Sequence, residues 1–300
     1  MNPVPLYLSP NYAKLASGYD QAEMAMLREF ATKGYLVFDP EFDDFDSLAE
    51  QVKQDLDGKY NERQRVQDGW QQSEAVRRLA THPRILKVLE LLHGRKPFPF
   101  QTLNFNVGTQ QKTHSDTMHF DSLPRGFMAG VWVALEDVDA ENRPLQYYPG
   151  SHQLHHFDLG ELGARDVRNG NGPLYGLYDK VYEPAIEKLV EDQGFEPEFG
   201  HIRKGQALIW AANLLHGGAP ILDPSRTRYS QVTHYFFDDC AYVTPLGTDL
   251  LAGYTYFRQP WDIATGRKRS GVYGSEPVSR GRVLFHKVKR RAQHLLGRVI

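Results

Sequence analysis

The stretch GFMAGVWVALEDV, residues 126–138, decides the fold class. Successive side chains of an extended chain point to opposite faces, so Met128, Gly130, Trp132 and Ala134 share one side and Phe127, Val131, Val133 and Leu135 the other. Both rows are largely apolar, which makes this a strand covered on both faces and therefore central in its sheet. Upstream, PFQTLNFNVG (99–108) alternates with a period of two. Downstream, PLQYYPG (144–150), GQALIWAA (205–212) after a Lys204-Gly205 turn, and RYSQVTHYFF (228–237) read as further strands. Short strands separated by turns predict a mainly β fold, a sandwich or barrel, with helical flanks.

Outward from this β core, about 98–240, the chain changes texture. Residues 20–95 read as a helical flank, with Leu48, Val52 and Leu56 at helical spacing, then a run through Val76, Leu79, Leu86, Leu89 and Leu92 that Pro83 divides. Within the flank, GYLVFDP (34–40) suits a short strand laid beside the main sheet. The long excursion 152–204 contains NGNGPLYG (169–176) and a helix from Tyr178 to about Glu191. Excursions of that length in a compact domain are functional or lid-like. A single domain over 1–266 is expected, followed by a basic tail over 267–300 that holds ten Lys/Arg against the single acid Glu276. There Leu284, Val288, Leu295, Leu296 and Val299 recur among Lys287, Lys289, Arg290, Arg291 and Arg298, the pattern of an amphipathic basic helix. Docking on its own domain is the first reading of that helix, and peripheral membrane contact the second.

Composition narrows the function classes. With 41% hydrophobic residues, 16 Phe and 16 Tyr, the chain has material for a large core. Cys240 is the only cysteine, which excludes an internal disulfide and a thiolate-rich metal site. A net charge of −2 gives no electrostatic case for nucleic acid. Neither a secretory leader nor a membrane span is legible, so a cytoplasmic protein with a small-molecule substrate is expected, its oligomeric state open.

His-x-Asp occurs three times, at His114/Asp116, His119/Asp121 and His156/Asp158. On an extended segment residues i and i+2 point to the same side, so this tripeptide aims an imidazole and a carboxylate at one point. Two histidines and one carboxylate, with open positions beside them, suit iron(II). The third ligand must come from a distant strand. His216, in LIWAANLLHGGAP (208–220), ends an apolar strand where two glycines let the backbone turn, and Arg226 and Arg228 follow in PSRTRYSQ (224–231).

The segments GTQQKTHSDTMHF (108–120), GFMAGVWVALEDVDAENRPLQYYPGSH (126–152) and ALIWAANLLHGGAP with RTRYSQVTHYFF (207–237) resemble successive motifs of the phytanoyl-CoA dioxygenase superfamily of Fe(II)/2-oxoglutarate-dependent oxygenases. The resemblance covers roughly 101–237; Arg143 departs from it by standing where the family has Gly before Pro-Leu. It implies a double-stranded β-helix core, a jelly-roll of the cupin type. It also implies that His114, Asp116 and His216 bind and activate through iron(II), with 2-oxoglutarate as cosubstrate and O2 as oxidant. Trp132, eighteen residues beyond His114, favours His114 over His119 as ligand. The implied anchor for the far carboxylate of 2-oxoglutarate is Arg228 with Ser230 on its face, or Arg226 as the alternative, and Trp132 borders that pocket. The implied reaction converts 2-oxoglutarate to succinate and CO2 while hydroxylating an unactivated C–H. Asp116 stands where halogenating relatives carry a small residue, which agrees with hydroxylation or a related oxidation.

Two other readings share the ligand order: a metal-dependent cupin-type enzyme that uses no 2-oxoglutarate, and a non-catalytic binding or sensor module on the same barrel. His119 and Asp121 read as neighbours of the ligands or as substrate contacts, His152 as a turn residue, and His155, His156 and His234 as surface or packing residues.

Overall fold

The computed structural model describes residues 3–62, 64–142, 144–162, 177–220, 222–248, 255–274 and 276–279, with 281 and 283. In chain order these form α1 (Tyr12–Leu15), α2 (Gln21–Lys33), β1 (Tyr35–Phe38), α3 (Phe45–Leu56), β2 (Arg65–Gln67), α4 (Glu74–Ala80), α5 (Pro83–His93), β3 (Pro97–Phe105), β4 (Asp121–Leu123), β5 (Met128–Ala134) and β6 (Leu145–Tyr147). Then follow α6 (Glu183–Gln193), β7 (Glu198–Phe199), β8 (Ala207–Ala211), β9 (His216–Gly218), β10 (Ser230–Phe237) and β11 (Ala241–Val243).

A six-stranded sheet in the order β1-β8-β5-β10-β3-β2 carries the molecule, and every neighbouring pair in it is antiparallel. As its two apolar faces require, β5 lies inside the sheet and is buried along its whole length. GYLVFDP pairs with β8 at one edge. Two smaller antiparallel sheets accompany it, β7-β6-β9 and the pair β11-β4. The fold is mainly β with helices: the N-terminal ones share one apolar core with the large sheet, and α6 packs in a separate cluster with Tyr148 and Leu215.

The helical flank covers one face of the large sheet. Asp20 starts α2 with a capping box, accepting from the Glu23 amide while Glu23 accepts from the Asp20 amide, and Gly34 ends it in the left-handed region at φ 82°. Leu48, Val52 and Leu56 form the buried stripe of α3. Pro83 does more than divide the next run: it occupies the first turn of α5, where its missing N–H costs nothing. Leu27 and Phe30, Val76 and Leu79, and Ile85 and Leu89 join Val131, Val133, Ile209, Tyr235 and Phe237 in one apolar core. Gln231 and Tyr235 donate side-chain hydrogen bonds to the Val76 and Ala80 carbonyls, fastening α4 to β10.

The other face of the large sheet looks toward the small one. Cross-strand register aligns Gly130 with Trp210 and His234, and Trp132 with Leu208 and Val232. This second cluster of Trp132, Leu208, Trp210, Val232 and Phe105 meets Tyr147, Leu214 and Ile202 from across the gap.

Several expectations change in detail. His114 does not end a strand: β3 stops at Phe105, and His114 lies in a connecting segment bridged to His216. The strands β2, β4 and β11 were not legible in the sequence, being three residues each. In the excursion, a π-helical turn over Tyr178–Tyr182 leads into α6, while NGNGPLYG lies outside the described residues, as does Arg143. Residues just past 266 continue the fold instead of starting a tail. Trp261–Asp262 (β12) pairs with Arg267–Lys268 (β13), Val272–Tyr273 (β14) with Glu276–Pro277 (β15), and Val278 and Val283 pack on Ala241 and Val243. Those apolar contacts outweigh the charge pattern that separated the segment. The expected basic helix from Leu284 onward lies outside the described residues. No helix among the described residues is long and apolar enough to cross a membrane.

Candidate metal centre and active site

His114 and His216 are cross-strand partners. Their backbones exchange two hydrogen bonds of 2.9 Å, which sets the imidazoles side by side with centroids 4.4 Å apart. Ser115 is extended, with φ −115° and ψ 142°, so Asp116 projects to the same side as His114 before the chain turns into a 3-10 turn. Single ligand atoms of His114, Asp116 and His216 all lie within 4.8 Å of one another, and all three residues are buried.

The tautomers of both histidines are set by the backbone. Each Nδ1 faces a carbonyl oxygen, Lys112 O at 2.8 Å and Leu214 O at 3.0 Å, and a carbonyl can only accept. Each Nδ1 therefore carries the proton and each Nε2 presents a lone pair, the state in which imidazole ligates a metal. The Gln111 side-chain amide meets His114 Nε2 at 3.0 Å, in keeping with a lone pair there. Burial pushes His114 down to about 3, with His216 beside it acting the same way. Burial alone would raise the Asp116 carboxyl, but the imidazoles of His216, His234 and His114 together hold it well below the usual carboxylate range. Neutral imidazoles and an ionised carboxylate form the donor set that a divalent cation requires. Two nitrogens and one oxygen on one side of a buried site suit iron(II).

Glycines beside His216 serve close approach. Neither Gly217 nor Gly218 has positive φ, so the turning role read from the sequence is not theirs. A Cβ on Gly218 would stand 1.8 Å from Thr109 O, and one on Gly217 2.9 Å from Gln111 O. Their lack of side chains lets the segment before His114 lie against β9.

Around this centre the remaining histidines separate. His119 is also beside it, pushed down to about 4 by burial, with its ring 4.8 Å from that of Tyr178. Asp121 meets His156 Nδ1 at 3.2 Å, so the second and third tripeptides are joined by one side-chain contact. His152 is buried in a 3-10 turn, as a turn residue should be, and reaches the Ala31 carbonyl at 3.2 Å. His155 pairs with Glu161 on the surface. His234 is neither a surface nor a plain packing residue: it is buried, with Nε2 3.6 Å from Asp116 and its ring near Phe120 and Trp210. The signal that would have found it is the two-residue period of β10, which puts Ser230, Val232 and His234 on one face.

Arg228 and Arg226 end up in different places. Arg228 is 2% exposed, its guanidinium 5.4 Å from the Trp132 ring. Ser230 is buried next to it, its hydroxyl 3.5 Å from the Arg228 carbonyl. Trp132 is fully buried on the face toward the small sheet, and its indole N–H has no hydrogen-bond partner among the described residues. Arg226 instead pairs with Asp139 and Glu141 at the surface.

The excursion is tied to the ligand loop. The Ser115 amide, between His114 and Asp116, donates to the Tyr182 hydroxyl at 2.9 Å, and Tyr178 stacks on Tyr182 at 5.0 Å.

A family model described as phytanoyl-CoA dioxygenase (PhyH) matches residues 16–228. The chain belongs to that family. Peroxisomal phytanoyl-CoA dioxygenase from Rattus norvegicus is 26% identical over 225 residues, 70% of this chain and 59% of that protein. Phytanoyl-CoA dioxygenase domain-containing protein 1 from Danio rerio is 28% identical over 159 residues, 51% of this chain and 50% of that protein. The chain thus spans between half and three-fifths of the length of these curated relatives. Among solved structures, the epimerase SnoN in complex with Fe3+, alpha ketoglutarate and nogalamycin RO has a TM-score of 0.57 at 20% identity, covering 87% of this chain and 97% of that one. EctD from S. alaskensis with 2-oxoglutarate and 5-hydroxyectoine has a TM-score of 0.53 at 18% identity, covering 87% of both chains. At such identities these neighbours share the fold with this phytanoyl-CoA dioxygenase family member.

Proposed function

We propose that this family member is an iron(II)- and 2-oxoglutarate-dependent dioxygenase that hydroxylates an unactivated C–H of a small or medium organic substrate. The observation that carries the reading is the buried set of His114, Asp116 and His216, with both imidazoles held in the metal-binding tautomer. Iron with 2-oxoglutarate and O2 supplies the oxidising power, and 2-oxoglutarate leaves as succinate and CO2. The chain's residues orient and shield. Arg228 is the anchor for the far carboxylate of 2-oxoglutarate, since its planar fork is buried and always charged. The Trp132 N–H, without a partner among the described residues, and the Ser230 hydroxyl are the further donors on the same face, and the surface pairing of Arg226 supports Arg228 over it.

We read the two facing sheets as a double-stranded β-helix open at one side, residues 1–266 together with the strands β13–β15 that pair and pack beyond them as the catalytic unit, and 152–204 as its lid. Substrate then meets the centre beside His119, His234, Phe120 and Tyr178. Solved structures titled epimerase and carbocyclase share the fold, so architecture does not select the outcome, and the retained Asp116 weighs only against halogenation.

Anaerobic addition of iron(II) and 2-oxoglutarate should give a weak visible charge-transfer band that is absent in His114→Ala. Succinate release in air should depend on both additions. An intact protein that binds iron(II) but gives neither band nor succinate would remove 2-oxoglutarate from the reading.

A further inference from the structure

The least explained contact at the centre is made by a residue that ligates nothing. Trp210, on β8, is 3% exposed and donates its indole N–H to Asp116 Oδ2 at 2.8 Å. His234 Nε2 approaches the same oxygen at 3.6 Å, while the other oxygen, Oδ1, is the one turned toward His114 at 3.9 Å. The Trp210 ring also lies 5.1 Å from the His216 ring, so one side chain touches two members of the set.

The neighbouring strand is built around that indole. Gly130, directly opposite Trp210 in the sheet, would with a Cβ come within 2.2 Å of the ring carbons Cε2 and Cζ2. Gly130 lies mid-strand, where glycine weakens the strand and packs no side chain, and its φ is not positive. Space for the ring is what this glycine provides.

We propose that Trp210, seated by Gly130, is a positioning residue that reserves one oxygen of Asp116 and so makes the carboxylate a one-oxygen donor to the metal. A carboxylate free to rotate can offer both oxygens and take an extra coordination position, one that the cosubstrate or O2 needs. An oxygen already accepting an indole N–H is a poorer ligand, and its partner is aimed. The idea rests on the metal-centre reading above and refines it.

The test uses metal binding and not turnover. Mn(II) affinity is measured by titration on the full chain, together with the visible d–d spectrum of the protein saturated with Co(II), which reports coordination number and geometry. Trp210→Phe keeps the ring and deletes only the donor; Gly130→Ala leaves the donor but displaces the ring. Both should bind Mn(II) about 10–100-fold more weakly than the unaltered protein, the usual effect of losing a hydrogen bond to a metal ligand, and both should change the Co(II) spectrum at saturation. A role in packing alone would lower the melting temperature and leave the saturated Co(II) spectrum as it was. Unchanged Mn(II) affinity with a superimposable Co(II) spectrum in Trp210→Phe overturns the proposal. Failure of the unaltered protein to bind either cation would instead overturn the metal centre itself. Should Trp210→Phe not fold, Gly130→Ala carries the same two readouts.

Discussion

At the residue scale, the site depends on which nitrogen or oxygen is committed elsewhere. His114 and His216 each spend Nδ1 on a carbonyl two residues earlier in the chain, a local contact that frees Nε2 without help from distant residues. The two arginines follow the same logic. Arg226 has its carboxylate partners in Asp139 and Glu141, whereas Arg228 is buried against Trp132. Replacing Arg228 with Ala is expected to raise the KM for 2-oxoglutarate roughly 30-fold or more, because a buried guanidinium–carboxylate pair is lost. Arg228→Lys should recover only part of this, as a point charge does not match the fork geometry. Arg226→Ala should leave that KM within about twofold, as an exposed ion pair contributes little. Steady-state kinetics with 2-oxoglutarate varied checks all three.

At the element scale, β9 and its glycines hold the two ligand histidines in one register. Gly218→Ala must push Thr109 away, so it should weaken metal binding at least tenfold while the far-UV circular dichroism stays near native. Asp20→Ala removes the α2 cap instead; it should cost about 1 kcal/mol of stability and leave metal affinity unchanged. Chemical denaturation and metal titration of both variants separate the two effects. The sequence made the long elements legible because their patterns are strong: β3 by alternation, β5 by its two apolar rows, α3 and α5 by their apolar stripes. His114, Asp116 and His216 were legible through order along the chain. What could not be read depends on register between strands. Nothing local says that Trp210 faces Gly130, that Asp121 pairs with His156 and not with its tripeptide mate, or that glycines after His216 make room for Thr109. Three-residue strands such as β2 and β4 are too short to show a period.

At the scale of the whole molecule, buried histidines make stability depend on pH. Burial pushes His93, stacked on Phe237, down to about 3 and His152 down to about 4. In the unfolded chain both protonate near 6.5. Between those limits the unfolded state binds more protons, so stability is full above about pH 6.5 and falls as pH drops toward 4, at ~1.4 kcal/mol per pH unit for each such group. Urea midpoints measured from pH 7 to 4.5 should decline accordingly. His93→Phe should flatten that slope by one proton, whatever its absolute stability.

The tether from Tyr182 to Ser115 bears on how such enzymes can be re-engineered. Exchanging the 152–204 excursion for that of a relative is the obvious route to a new substrate. In this molecule the same exchange would also untie the peptide between two ligands. A chimaera should therefore keep a phenol at that one position, and a graft that fails through lost iron, with folding intact, should be rescued by restoring a single tyrosine. On the proposed reading, the border between what selects the substrate and what holds the metal runs through one hydroxyl group.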